Sequence, residues 1–267
     1  MKSAVAGIAL VTMVHGAMAD PLEERIMALA ATSPIARYDW HGRGVAPLGY
    51  TKGMAVAWAR TYGLWKKATP ETKLMAMANT HLASTDALSW YAGIFEDNGM
   101  DNSRAGADTL RHLFVLLMGL GMRESSGKFC EGRDFSARNV SADTAEAGLF
   151  QMSWDAHIAS IEIVNVFEAY REEYDDLLHI FHEDVHCAPG DLRNWGVGVG
   201  REFQEVCKGS PMCAILTAGV GLRTIRRHWG PINRREAEVR KEADRLFMQI
   251  QNMVDGIDMV AADESRG

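Results

Sequence analysis

The residue type best suited to chemistry in this sequence is a carboxylate at the end of an apolar stretch. Residues 113–127 read LFVLLMGLGMRESSG, so an almost wholly apolar run leads directly into Arg123 and Glu124. A helix that is apolar on all sides is normally buried at the centre of a domain. A carboxyl group at its end is partly removed from water, which favours its neutral form and raises its pKa. Glu124 is therefore predicted to be a general acid that donates a proton near neutral pH.

A second pattern with a chemical meaning is HEDVH, which begins at His182. On a helix, His182 and His186 would share one face with Glu183 beside them, as H-E-x-x-H zinc sites require. The extension that supplies a third zinc ligand is missing, because Pro189 and Leu192 stand where Gly and His belong. Histidines at the edge of an ordinary amphipathic helix explain the same spacing. A zinc metalloprotease is kept as an alternative, and we expect no metal or other cofactor.

Two short motifs together resemble a known superfamily. RESSG ends the apolar run, and GLFQM begins at Gly148 after a polar segment rich in Gly, Asp, Asn and Ser. In this order they are similar to the goose-type lysozymes and lytic transglycosylases. In that superfamily an E-S segment ends a buried helix, and a G-L-M-Q-like segment follows a short β-region. The resemblance covers residues 113–154 only.

The resemblance implies an exported peptidoglycan glycosidase that cleaves the β-1,4 MurNAc–GlcNAc linkage, with the glycan strand as its partner. Glu124 matches the catalytic acid, and Ser125 matches the serine that supports it. The residues that match the lining of the sugar cleft are Gly148, Leu149, Phe150, Gln151 and Met152. Phe150 stands where the superfamily usually has methionine, and Gln151 is expected to hydrogen-bond an N-acetyl or hydroxyl group.

The reaction outcome is left open by the sequence. Lytic transglycosylases usually carry an A-Y-N-A-G-like segment, whereas NWGVGVG at residues 194–200 has the glycines without the tyrosine. A hydrolytic outcome needs a second carboxylate, for which Asp134 and Asp143 are preferred over Glu131 and Glu146. Without one, the 6-hydroxyl of the sugar can attack and form an anhydro-sugar. A lysozyme-like protein that binds glycan without catalysis is a further alternative.

Helical spacing dominates the elements that must position these residues. The predicted helices are Leu22–Ala31, Thr51–Trp65, Pro70–Ala78, Asp86–Phe95, Ala107–Arg123, Ser153–Tyr170, Glu172–His186, Met212–Trp229 and Pro231–Ile257. We expect a mainly α protein of the α+β lysozyme-like kind, a helical bundle around a buried central helix. A small irregular β-lobe is expected within Phe129–Gly148. Residues 20–105 would pack as an N-terminal helical segment on a catalytic domain at 106–257, followed by a disordered tail at 258–267.

The first nineteen residues are predicted to be a cleaved signal peptide. Lys2 precedes the apolar run AVAGIALVTMV, and Ala17-Met18-Ala19 fits an A-x-A cleavage site. The residue directly after that site is Asp20 and not the cysteine of a lipid anchor, and no later segment looks transmembrane. No stable membrane anchor is therefore expected. The protein is predicted to be periplasmic or secreted.

Export favours disulfide bonds among the four cysteines. Cys207 and Cys213 bracket a short turn-like segment, KGSPM, which favours a local bridge. That leaves Cys130 to pair with Cys187. A structural metal site is the alternative, although no C-x-x-C pair supports it.

The formal net charge of −7 argues against general nucleic-acid binding, which relies on basic surface. The arginines from Arg223 to Arg235 are interpreted as solvated side chains at the end of one predicted helix and the start of the next. The apolar stripe of the last helix is expected to pack on the protein's own core, which predicts a monomer. Trp154, Trp195 and Trp229 could stack on sugar faces, but core packing is the expectation for each of them.

Overall fold

The computed structural model describes residues 21–135, 141–172, 174–226 and 229–264, with side chains as far as residue 257. Over these residues the chain is mainly helical, as predicted. The predicted leader at residues 1–19 lies outside the described residues. Part of the predicted β-lobe, residues 136–140, lies outside them as well.

The helices and strands follow one another along the chain as follows. The α-helices are α1 (Pro21–Thr32), α2 (Leu48–Lys66), α3 (Pro70–Met75), α4 (Ala87–Trp90), α5 (Ala92–Asp97), α6 (Ala107–Ser125), α7 (Ile161–Glu172), α8 (Leu178–Phe181), α9 (Val199–Gly209), α10 (Pro211–Thr224) and α11 (Lys241–Glu264). Short 3-10 helices span Pro34–Arg37, Trp154–Ala159 and Gly230–Arg234. Strands β1 (Asp39–Trp40) and β2 (Gly44–Val45) pair antiparallel.

Helix α6 is the central helix that the apolar run predicts. Every residue from Thr109 to Met122 is buried, and the helix contacts α2, α3, α10 and α11. Two glycines allow neighbours to approach its backbone closely. A β-carbon at Gly119 would overlap the backbone of Glu238, and one at Gly121 would overlap the Tyr50 hydroxyl. That hydroxyl donates a hydrogen bond of 2.8 Å to the carbonyl of Met118.

The end of α6 is set by a left-handed residue. Ser126 has φ 54°, and its N–H donates to the Met122 carbonyl at 3.0 Å. The N–H of Gly127 donates to the Gly121 carbonyl at 3.2 Å. This arrangement satisfies the last carbonyls of the helix and stops it directly after Glu124 and Ser125.

The β-structure differs from the prediction. The two-stranded sheet lies at residues 39–45, before α2, and the described part of Phe129–Gly148 forms no strand. Its described residues contribute a single bridge, Ala147 to Met152, and the Glu131 carbonyl accepts the N–H of Gly148 at 2.8 Å.

Several helix predictions also differ from the structure. The helix expected over Glu172–His186 is reduced to α8 in the described residues, and α9 was not predicted. Pro231 lies only in a short 3-10 turn, Gly230–Arg234, which Arg235 ends at φ 55°. The last helix therefore starts at Lys241 and continues to Glu264, so most of the predicted disordered tail is helical.

One of the two predicted disulfides is present. Cys130 is bonded to Cys187, with their Cα atoms 6.0 Å apart. The predicted bridge between Cys207 and Cys213 is wrong, because both cysteines are free and buried. They lie on two successive helices, α9 and α10, where the Cys207 side chain and burial raise the pKa of the Cys213 thiol.

No helix within the described ranges combines the length and the apolar character needed to cross a membrane.

Candidate active site

Glu124 lies one residue before the end of α6, at the boundary between core and surface. Its carboxylate is held against Gly230, where a β-carbon would overlap Oε1. Within the described residues it forms no hydrogen bond or ion pair. The pKa of Glu124 is raised to about 8, first by desolvation and second by the negative charge of Glu146. At neutral pH the carboxyl group is therefore mostly protonated.

Three other charges act on Glu124. Arg43, from the turn between β1 and β2, lowers its pKa, and so does Arg234. Glu236 raises it slightly. The sequence neighbour Arg123 pairs instead with Glu236, with 3.2 Å between Nε and Oε2.

Glu236 is the ionised counterpart of Glu124 in this region. Its hydrogen bond from Arg234 and its pairing with Arg123 lower its pKa to about 2. Two carboxyl groups with pKa values pushed in opposite directions are a common arrangement in acid–base sites. Sequence reasoning missed Glu236, because its only local signal is a position in an arginine-rich segment.

Ser125 joins the end of α6 to the GLFQM segment. Its side chain is buried, and Oγ lies 2.9 Å from the Gly121 carbonyl and 3.0 Å from the Leu149 carbonyl. A hydroxyl group has one hydrogen to donate, so the two carbonyls share it. This contact fixes the position of the GLFQM segment relative to Glu124.

The GLFQM segment forms a tight turn with a buried apolar side. Gly148 has φ 74° and Gln151 has φ 49°. The apolar members of the segment are all buried in the core: Leu149, Phe150 and Met152. Phe150 therefore packs beneath the segment and does not form an exposed wall of a cleft. Gln151 is the member that reaches the surface, where it is half-buried.

The Gln151 side chain is held by backbone carbonyls. Its Nε2 donates to the carbonyls of Gly148 at 3.2 Å and Glu131 at 3.4 Å. The amide oxygen accepts no hydrogen bond from the described residues. That oxygen can accept a hydrogen bond from a ligand hydroxyl or amide.

The predicted second carboxylates lie in different surroundings. Asp134 is exposed. Asp143 is also exposed, and its carboxylate lies against Gly200 in the first turn of α9, where the helix dipole favours an anion. Glu146, which the sequence ranked below them, is the carboxylate whose charge acts most strongly on Glu124.

A groove of about 760 Å³ adjoins Arg123 and Glu236, but neither Glu124 nor the GLFQM segment lines it. Arg123 and Glu236 form part of its wall, together with Trp40 and His41 from the β1–β2 hairpin. Its volume is in the range of small-molecule pockets.

The zinc-site arrangement is not formed. Helix α8 ends at Phe181, and Asp184 is left-handed at φ 61°, so His182 and His186 do not occupy successive turns of one helix. Glu183 pairs with Lys52 at 2.7 Å. Within the described ranges, no three His, Cys, Asp or Glu side chains are close enough to hold a metal ion.

The three tryptophans differ in exposure. Trp154 and Trp229 are buried, as expected. Trp195 is 41 % exposed, so the expectation of core packing is wrong for this residue. Trp195 lies in the loop after Cys187. Hydrogen bonds with Gln204 on α9 fix the backbone of this residue, while its indole ring remains at the surface.

Comparison with known proteins assigns no family to this chain. No protein-family model, curated protein or solved structure matches it. A function is therefore inferred from the residues and geometry described above.

Proposed function

We propose that this protein is a peptidoglycan glycosidase that cleaves the β-1,4 MurNAc–GlcNAc linkage, with Glu124 as the general acid. The observation that carries the proposal is the environment of Glu124. Its carboxyl group ends a buried helix, lies against Gly230 and has a pKa raised to about 8. A glycosidase acid must be protonated at the working pH in order to donate to the leaving oxygen.

The neighbouring residues support a polysaccharide substrate. Ser125 and the Leu149 carbonyl hold the GLFQM segment beside the acid, and Gln151 presents an amide oxygen for a sugar substituent. Residues Leu149, Phe150 and Met152 stabilise this segment from the core. A lysozyme-like arrangement of acid and glycan-binding segment is part of the proposal.

We favour Glu146 over Asp134 and Asp143 as the second carboxylate. Among the neighbouring carboxylates it raises the pKa of Glu124 most, whereas Glu236 is compensated by two arginines. A carboxylate near the acid can activate water or stabilise positive charge on the sugar ring. If Glu146 has neither role, the 6-hydroxyl of the sugar is the nucleophile.

The test is digestion of purified murein by the wild type and Glu124→Gln, with products identified by mass spectrometry. The variant should lose at least about 100-fold in activity, since general acid catalysis contributes about 10²–10⁴-fold. Glu96→Gln, which changes an exposed glutamate on α5, is the matched control and should remain active. Anhydro-muropeptides indicate a lytic transglycosylase, and reducing ends indicate a lysozyme.

Activity of the wild type should fall as the pH rises through about 8, because Glu124 then loses the proton it donates. Full activity of Glu124→Gln on murein, or no release of muropeptides by the wild type, would contradict the proposal.

A further inference from the structure

A second surface with ligand-binding character lies outside the immediate surroundings of Glu124. We call Arg133, Phe135 and Trp195 the aromatic platform. The Arg133 guanidinium lies 4.4 Å from the centre of the Trp195 ring and 5.6 Å from that of Phe135. Phe135 is 69 % exposed and Trp195 is 41 % exposed. Large aromatic side chains gain stability by burial, so two exposed rings around one arginine call for an explanation.

The loop that carries Trp195 is held firmly by buried polar side chains. Gln204, on α9, accepts a hydrogen bond from the backbone N–H of Trp195 at 2.7 Å and donates one to the Trp195 carbonyl at 3.1 Å. The Lys208 ammonium donates to the carbonyls of Asp191 and Arg193 at 2.9 and 3.0 Å. The exposed indole is therefore carried on a positioned backbone, which lowers the conformational entropy lost when a ligand binds.

Arg133 has unused hydrogen-bonding capacity. It forms no hydrogen bond or ion pair with the described residues, and its Nε is buried without a partner. A buried donor without an acceptor lowers the stability of the folded protein. A guanidinium that is fixed by stacking presents a planar row of N–H donors, which matches the two oxygens of a carboxylate.

The platform is connected to the proposed sugar-binding segment through the backbone. The Glu131 carbonyl accepts hydrogen bonds from Gly148 and from the Gln151 side chain. Arg133 is two residues further along the chain. An extended chain advances about 3.5 Å per residue, so the backbone of Arg133 lies at most about 7 Å from that of Glu131.

We propose that the aromatic platform binds a carboxylate-bearing sugar of the same glycan strand, with the sugar against the rings and its carboxylate on Arg133. This inference rests on the proposed function, since a peptidoglycan strand freed of its peptides carries a lactyl carboxylate on every second sugar, whereas chitin of equal length carries none. The partial negative charge on a ring face attracts the C–H groups of a sugar, and the guanidinium supplies selectivity for the acidic residue.

The experiment measures binding by the inactive variant Glu124→Gln with isothermal titration calorimetry. The probes are a peptidoglycan tetrasaccharide freed of its peptides and a chitin tetrasaccharide. Adding Arg133→Gln should weaken binding of the peptidoglycan probe at least about 10-fold, as expected for loss of a charged hydrogen bond, and leave the chitin probe within about twofold. Adding Trp195→Ala should weaken both probes.

Arg201→Gln, an exposed arginine on α9, is the matched control and should change neither affinity. Thermal melts establish that each variant is folded, and Arg133→Lys provides a second test because it keeps the charge without the planar fork. Unchanged binding of both probes on loss of Arg133, or equal weakening of both, would overturn the proposal. Murein turnover by the wild type is measured separately. Absence of turnover would contradict the proposed function, whereas unselective oligosaccharide binding would contradict the role of the aromatic platform.

Discussion

At the scale of single residues, the environment of Glu124 has a consequence for stability. Its pKa is about 8 in the folded protein and is expected near the ordinary value of 4.5 when unfolded. Between these values the folded state binds more protons, so rising pH lowers the free energy of unfolding. Glu124 lowers the free energy of unfolding most above pH 8, where its carboxyl group is ionised while partly buried.

Glu124→Gln should therefore stabilise the protein relative to the wild type, with a difference that grows from pH 4.5 to pH 8 and is constant above. Glutamine is neutral at every pH and avoids the cost of ionisation. Urea unfolding of both proteins at pH 5 and pH 9 measures the effect. A difference that is the same at both pH values would show that Glu124 has an ordinary pKa in the folded protein.

Glu146 provides a second prediction at this scale. Its negative charge raises the pKa of Glu124, so Glu146→Gln should lower that pKa and move the alkaline decline of activity to lower pH. The pH profile of the murein turnover that remains in Glu146→Gln measures the shift. Asp143→Asn is the comparison, because Asp143 lies against Gly200 on α9 and its removal should leave the profile in place. If Asp143→Asn moved the alkaline decline to lower pH and Glu146→Gln left it in place, Asp143 would again be preferred as the second carboxylate.

At the scale of elements, α6 depends on glycine where other elements approach it. Gly119 lies against the backbone of Glu238, whereas Gly256, in α11, has open space around it. Both positions are helical, so alanine at either would gain about 0.5–1 kcal/mol from backbone entropy alone.

Gly119→Ala should nevertheless lower the free energy of unfolding by about 1–3 kcal/mol, because its β-carbon forces α6 and the Glu238 segment apart. Gly256→Ala should raise that free energy by about 0.5 kcal/mol or more. Chemical denaturation of the two variants measures both values. If Gly119→Ala were as stable as Gly256→Ala, the close approach of Glu238 to α6 would be wrong.

Sequence patterns predicted some elements well and others poorly, for identifiable reasons. The all-round apolar character of α6 predicted both its place and its end near Glu124. The helix expected through His186 ends at Phe181. After it, Asp184 is left-handed at φ 61°, and the Glu183 carbonyl accepts a hydrogen bond from the N–H of Gly49 in α2. Helix α9 was missed because it begins at the end of the glycine-rich NWGVGVG, although Phe203, Val206 and Cys207 have helical spacing.

At the scale of the whole molecule, the disulfide between Cys130 and Cys187 ties the segment after α6 to the loop after α8. It spans 57 residues of sequence. Replacing both cysteines by serine should lower the free energy of unfolding by about 2–5 kcal/mol, because the unfolded chain regains the freedom of that loop. Urea unfolding of the double variant measures the loss.

The same experiment series tests the two buried thiols. Unfolded, unreduced protein should react with a thiol reagent at Cys207 and Cys213, whereas the folded protein should react slowly because both are buried. The absence of reactive thiols after unfolding would show that these two cysteines are bonded to each other.

The sequence by itself determined the mainly helical class, the buried central helix and the carboxylate at its end. These features depend on periodicity and residue type within one segment, which a linear chain displays directly. Only the tertiary structure decided which charges act on Glu124, because Arg43, Glu146 and Glu236 come from separate segments. The exposure of Trp195 was decided in the same way. Electrostatic shifts and burial depend on distances between segments that folding brings together, and no local pattern contains those distances.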